Sequence, residues 1–277
     1  MDALLIFGLG YCGQAVAALA REAGFAVTAT SRAATPGRIP FDSAADVLAT
    51  ATHVLTTAPP DAAGGDPVLS RYGQALAEAP ALRWAGYLSS TVVYGDRDGG
   101  WVDEDTPPAP SQERGWRRLE AEQAWSQLGV AVDIFRLAGI YGPGRSYFDN
   151  LRAGRARRMV KPGHRFGRIH RDDIAAAVLA AMRQDRPPGP RILNLTDDEP
   201  AESADVVTEA ASLLGIPPPP ATDFATAYPA MSPMARSFYA ENRQVASQKT
   251  QAALGLTWRF PTYREGLRAI LAAESGL

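Results

Sequence analysis

The sequence predicts an α/β protein, a doubly wound parallel sheet with a small, mainly helical C-terminal lobe. Three observations carry this. Short apolar runs alternate with helical segments through roughly the first two hundred residues, the pattern of strands joined by crossover helices. The chain opens on an apolar strand, a glycine turn and a helix. Residues 172–196 read as a helix and strand that return to the sheet, so the lobe is discontinuous. Residues 1–138 and 168–197 then form the sheet domain, and residues 139–167 and 198–277 the lobe.

The elements follow in order. Ala3 to Phe7 is an unbroken apolar run, followed by Gly8-Leu9-Gly10-Tyr11-Cys12-Gly13 and an Ala-rich helical stretch that ends at Gly24. This is a G-x-G-x-x-G turn in the context a Rossmann dinucleotide site requires. Gly8 permits the turn, Gly10 lets backbone approach a pyrophosphate, and Gly13 allows close helix–strand packing. The pyrophosphate would sit on the unpaired N–H groups of the helix start, where Tyr11 and Cys12 lie, favoured by the helix dipole.

A second strand, Phe25 to Thr30, leads to Ser31 and Arg32, and no acid follows until Asp42. An NAD site usually places Asp or Glu here for the ribose hydroxyl, whereas Arg suits the 2′-phosphate of NADP. NADP is therefore favoured over NAD, against the plain alternative of a solvated loop arginine. Residues 33–40 are a polar connection. His53 to Thr57 is the next strand and ends at Ala58-Pro59-Pro60, so Thr57 and Ala58 pass the cofactor at a strand's carboxyl end. Residues 61–66 form a loop, and 68–79 an amphipathic helix closed by Pro80.

Trp84 to Ser89 is a strand entering Ser89-Ser90-Thr91-Val92-Val93-Tyr94-Gly95. Ser90 either polarises a substrate oxygen from this turn or caps the turn itself. Ser111 to Gln127 is a helix, and Arg136 lies in the strand before the tight turn Tyr141-Gly142-Pro143-Gly144. Asp172 or Asp173 is expected as the N-cap of an apolar helix, Ile174 to Met182. Arg145 to Arg171 is strongly basic. Most of that charge reads as a solvated helix face, with Arg165, Arg168 and His170 as candidate substrate contacts. Residues 202–214 are an amphipathic helix, and residues 221–241, lacking a period, are expected as a substrate-side loop.

Composition bounds the class. Charged residues make up 21% and hydrophobic ones 46%, as in ordinary globular proteins. A net charge of −2 argues against nucleic-acid binding. No apolar run approaches the length of a membrane span, and the opening Met-Asp lacks a basic leader, so a cytoplasmic protein away from the membrane is expected. One cysteine, Cys12, excludes an internal disulfide, and the three histidines show no metal-ligand spacing.

Several ordered blocks resemble the extended short-chain dehydrogenases/reductases, the class of NAD(P)-dependent epimerases and dehydratases. They are Ser89 to Gly95, Val102-Asp103-Glu104-Asp105-Thr106-Pro107-Pro108, Phe135 to Gly144, Arg168 to Ile174, and Leu193-Asn194-Leu195 with Asp198-Glu199-Pro200. The resemblance covers nearly the whole chain. It implies an NADP-binding oxidoreductase-, epimerase- or dehydratase-like enzyme acting on a small anionic or sugar-nucleotide substrate, with a homodimer left open.

The resemblance also implies a departure. The family carries Tyr-x-x-x-Lys on the helix after its acidic loop, with a glutamate four residues past the lysine. Glu122 fits that glutamate, which places Arg118 at the lysine and Arg114 at the tyrosine, and no tyrosine lies between Gly95 and Ile140. Arg118 can hold the ribose as a fixed charge. A guanidinium cannot shuttle protons near neutral pH, so Tyr94, Tyr141 and His170 become the candidate proton donors. A non-catalytic cofactor-binding regulator or partner-binding protein is the alternative.

Overall fold

The computed structural model of the chain describes residues 2–32, 35–62 and 64–275; Ala33 and Ala34, in the connection read at 33–40, lie outside the described residues. β1 (Ala3–Phe7) runs through the glycine turn into α1 (Tyr11–Glu22), and β2 (Ala26–Ser31) follows. After β3 (Ile39–Pro40) and α2 (Ala45–Leu48) come β4 (His53–Thr56), α3 (Pro67–Glu78) and β5 (Trp84–Ser90). The short β6 (Trp101–Val102) precedes α4 (Glu113–Trp125), β7 (Ala131–Leu137) and β8 (Gly139–Tyr141). Then come α5 (Tyr147–Arg152), β9 (Arg158–Val160), β10 (Arg168–His170), α6 (Arg171–Met182) and β11 (Gly189–Leu195). The chain closes with α7 (Ser203–Leu213), β12 (Ala221–Asp223), α8 (Phe224–Ala227), α9 (Pro233–Tyr239), β13 (Gln244–Val245), α10 (Gln248–Leu254) and α11 (Tyr263–Glu274).

Seven strands form one parallel sheet in the order β11-β7-β5-β4-β1-β2-β3. Side chains alternate across its faces, as a pleated strand requires. Leu4, Ile6 and Leu55 pack with Val16, Ala17 and Ala20 of α1 and Ile174, Ala177 and Val178 of α6. Leu5, Phe7 and Val54 pack on the other face with Val68, Tyr72 and Leu76 of α3 and Ala121 and Trp125 of α4. Both faces are thus covered, which is why the strands read as apolar runs. Strand order reverses between β1 and β4, the position at which open α/β sheets bind ligands beyond the carboxyl ends of their strands. The lobe has its own core, with Phe148 and Leu151 of α5, Val206, Val207 and Ala210 of α7 and Tyr263, Leu267 and Ile270 of α11 around Tyr141. Among the described residues no helix is long and apolar enough to cross a membrane.

Three local expectations are corrected. Residues 145–171 do not form one solvated helix face; they split into a turn, α5, β9 and β10, and Arg168 is buried. Residues 221–241 are not a featureless loop but β12, paired with β9, followed by α8, a 3-10 turn and α9. Each piece is shorter than the window in which a helical period can be read. Neither Asp172 nor Asp173 is the N-cap of α6. His170 holds that position, its Nδ1 accepting from the Asp172 N–H at 3.2 Å. Asp173 is buried instead and accepts from the Arg259 and Phe260 N–H groups at 2.8 and 3.1 Å. Both acids still sit in the first helical turn, where the dipole favours them.

Candidate functional site

The glycine turn is held from three sides. Gly8 has a φ of +92°, a backbone state that disfavours side chains. Its N–H donates to Thr30 Oγ1 at 3.3 Å, and its carbonyl accepts from Thr57 Oγ1 at 2.6 Å. A Cβ on Gly13 would lie 2.6 Å from that same carbonyl, whereas one on Gly10 would meet nothing within 4 Å. Gly13 is therefore glycine for packing, and Gly10 borders open space. Gly10 also caps α1 without any side-chain hydrogen bond, and the first turn carries no acid. The first N–H groups of a helix have no intrahelical partner, and the dipole favours an anion at that end.

Thr57 secures the turn, and Ala58 follows it at the same edge of the sheet. Ser31 ends β2 and Arg32 is exposed beside it. Cys12 is buried, and burial pushes its thiol up to about 11, so it packs and is a poor nucleophile.

A cavity of about 1090 Å³ opens at the carboxyl ends of β4, β5 and β7. Its wall includes Ser90, Arg118, Tyr141, Arg165 and Arg168, so five of the residues expected from sequence are brought together. Tyr11 joins the cavity to the glycine turn. Its hydroxyl donates to Pro143 O at 3.0 Å, and the guanidinium of Arg145, a wall residue, lies 5.7 Å from its ring centroid.

The wall residues differ in how free they are. Ser90 caps its own turn, its Oγ accepting from the Val92 N–H at 3.3 Å, while still facing the cavity. Arg118 is fixed by Nη1–H donation to Tyr87 Oη at 3.0 Å and Leu88 O at 2.8 Å. Arg168 spends Nη1 on Phe166 O and Ala201 O at 2.8 and 3.1 Å, and Nε on Tyr147 Oη at 3.2 Å. Tyr141 is buried, and desolvation, with the Asp197 and Asp173 charges, pushes its hydroxyl well above the ordinary tyrosine range.

Two expected proton donors stand elsewhere. Tyr94 does not face the crevice. It is fully buried, its hydroxyl engaged by Asp103 O at 2.9 Å and Asn194 Oδ1 at 2.8 Å. His170 is buried behind the cavity in edge contact with Tyr141 (ring centroids 5.2 Å apart) and serves as the helix cap. Sequence reading passed over Arg114, Arg117, Arg243 and Phe238 as cavity residues. The available signal was the spacing of Arg114 and Arg118, which puts both on one helix face.

No protein-family model matches the chain. A solved structure described as a functionally unknown conserved protein from Silicibacter pomeroyi DSS is 41% identical, covers 99% of both chains and superposes with a TM-score of 0.90. The two are members of one family. Human epimerase family protein SDR39U1, solved with NADPH, is 19% identical over 97% of this chain and 98% of its own, with a TM-score of 0.79. MoeE5, solved with UDP-glucose and NAD, is 23% identical over 100% of this chain and 99% of its own, with a TM-score of 0.76.

The chain has the extended short-chain dehydrogenase/reductase fold. Among curated proteins, Protein YeeZ of Escherichia coli (strain K12) is 36% identical over 137 residues, 48% of this chain, and the match spans 47% of YeeZ, about half its length. A 3-diazoavenalumate denitrifying reductase of Streptomyces sp is 28% identical over 79% of this chain and 76% of its own.

Proposed function

We propose that this extended short-chain dehydrogenase/reductase chain is an NADP-dependent oxidoreductase-, epimerase- or dehydratase-like enzyme for a small anionic or sugar-nucleotide substrate. The carrying observation is that the helix start at Gly10, uncapped by any side chain and bordering open space, and the arginine-lined cavity lie at the same edge of the sheet. The NADPH and UDP-glucose–NAD complexes of the neighbouring structures and the Streptomyces reductase support the reading.

The residues present fit the cofactor. Gly8, Gly10, Tyr11, Cys12 and Gly13 would hold the pyrophosphate through backbone, Ser31 and Arg32 the 2′-phosphate, Thr57 and Ala58 the cofactor's flank, and Arg118 the ribose. When bound, the nicotinamide supplies or accepts a hydride. The protein's part is binding, orientation and charge. Arg165 steers an anionic substrate, Arg168, tied within the protein, adds fixed positive charge to the wall, and Ser90 presents its hydroxyl to the cavity. Guanidinium groups hold charge without passing protons, so no arginine on the wall acts as acid or base. Tyr141, its hydroxyl pushed up by burial, is a poor donor near neutral pH.

A second reading is a cofactor-binding protein without turnover, favoured by the same want of a ready proton donor. NADPH oxidation with carbonyl and diazo compounds, together with product analysis of nucleotide sugars incubated with the protein and cofactor, decides between them. Substrate-dependent loss of cofactor absorbance, or an epimerised or dehydrated sugar formed without net cofactor consumption, supports the enzyme, and tight NADPH binding with neither supports the second reading.

A further inference from the structure

We infer that Arg114 is the seat for an oxyanion of the ligand, a carboxylate or a phosphate, on the α4 side of the cavity. The inference deepens the substrate reading above and rests on it. Arg114 is placed there by packing. A Cβ on its neighbour Gly115 would lie 2.7 Å from Pro110 Cβ and 3.2 Å from Val92 O, so glycine lets α4 press onto the turn that carries Ser90. Arg114 and Arg118, one helical turn apart, both lie on the cavity wall.

Their states differ. Arg118 is held by two short hydrogen bonds within the protein. Among the described residues Arg114 makes one hydrogen bond, Nη2–H to Ser237 O at 3.4 Å, its guanidinium lies 6.0 Å from the Phe238 ring centroid, and its Nε is buried with no hydrogen-bond partner. A guanidinium carries five donors, and a buried donor left unpaired is costly.

Neighbouring charges do not balance it. Among the described residues no carboxylate lies within 4.0 Å of Arg114. Glu241 on the same wall is spent on Arg243 Nη1–H at 2.6 Å and on the Ser111 hydroxyl at 2.6 Å. Glu113 is paired with Arg117. The half-buried Arg243 also feels the Arg114 charge. Arg114 and Arg243 share this side of the wall, and Glu241, the carboxylate beside them, is paired with Arg243, so the Arg114 charge is left over. An oxyanion accepting from the Nη–H groups of this wall residue supplies the missing counter-charge.

The test follows arginine Nε–Hε signals of the full-length 15N-labelled chain, without cofactor, during separate titrations of sodium phosphate and sodium benzoate. The Arg114 signal is the one missing from Arg114→Lys. The expected result is a saturable shift of that signal with at least one anion, with affinity in Arg114→Gln, read by tryptophan fluorescence, about tenfold weaker or more. Saturation by phosphate alone identifies a phosphate ligand, and by benzoate alone a carboxylate. If Arg114→Gln does not fold, Arg114→Lys, which keeps the charge but not the fork, must still bind measurably more weakly. An unmoved or non-saturating Arg114 signal, or unchanged affinity in the variants, overturns the inference. NADPH is titrated in parallel into Arg32→Ala. Loss of NADPH binding with anion binding kept, or the reverse, separates a failure of the anion seat from a failure of the cofactor reading.

Discussion

Glu122 shows how much of the site rests on one buried side chain. Its carboxylate accepts from Arg136 Nε at 3.2 Å and Nη2 at 2.7 Å and from the Ser89 hydroxyl at 2.5 Å, in the interior beneath Ser90. Removing one partner of a buried pair strands the other charge. Glu122→Ala should therefore destabilise the protein by about 3–5 kcal/mol, measured by urea unfolding. A loss under about 1 kcal/mol would mean the pair is solvated in solution.

The glycines separate function from packing equally sharply. Gly10→Ala, with room for its Cβ, should leave stability within about 0.5 kcal/mol yet weaken NADPH binding at least about tenfold. Gly13→Ala drives a methyl group into Gly8 O and should lose stability by about 1–3 kcal/mol with or without cofactor. Equal stability losses for the two would refute the distinction. At this scale the sequence was informative for the glycines, whose role is fixed by backbone sterics. It was not for Tyr94 and His170, whose burial depends on contacts with Asn194 and Phe260 far along the chain.

α6 illustrates what an element adds to its residues. Sequence preference puts an Asp at its N-terminus, yet the helix starts earlier because the His170 ring caps it and Asp173 is drawn off to the 259–260 backbone. This gives the helix a pH dependence. Burial lowers the His170 pKa from 6.5 to about 4, against the Asp172 charge, which raises it. The unfolded chain thus takes up a proton near pH 6.5 that the folded chain refuses until about pH 4, and stability is lost as pH falls through that window. His170→Asn keeps a capping oxygen but does not titrate, so its stability relative to wild type should improve steadily from pH 7 to pH 4 in thermal melts. Parallel curves would contradict the assignment.

α4 was legible as a helix with two arginines on one face. That Gly115 seats it on the Ser90 turn was not, since nothing local marks a close contact with Val92 and Pro110. Gly115→Ala should lift α4 and cost about 1–3 kcal/mol, seen as a lower urea midpoint. An unchanged midpoint would mean that the contact relaxes freely.

Across the whole molecule, strand periodicity and the glycine turn made the doubly wound sheet readable, because both of its faces are covered by helices and the strands must be apolar. The lobe was less readable. Its pieces are short, its sheet contacts are paired strands of two or three residues, and its arginines divide between buried structural ties and the cavity wall only through tertiary packing. We propose that the glycine turn and the end of β2 bind NADP beside the arginine-lined cavity, and calorimetric titration of NADPH and NADH into the protein, with Arg32→Ala alongside, is the decisive experiment. NADPH should bind more tightly than NADH, and Arg32→Ala should lose that preference by about tenfold or more. Preference for NADH, or no binding of either, would contradict it.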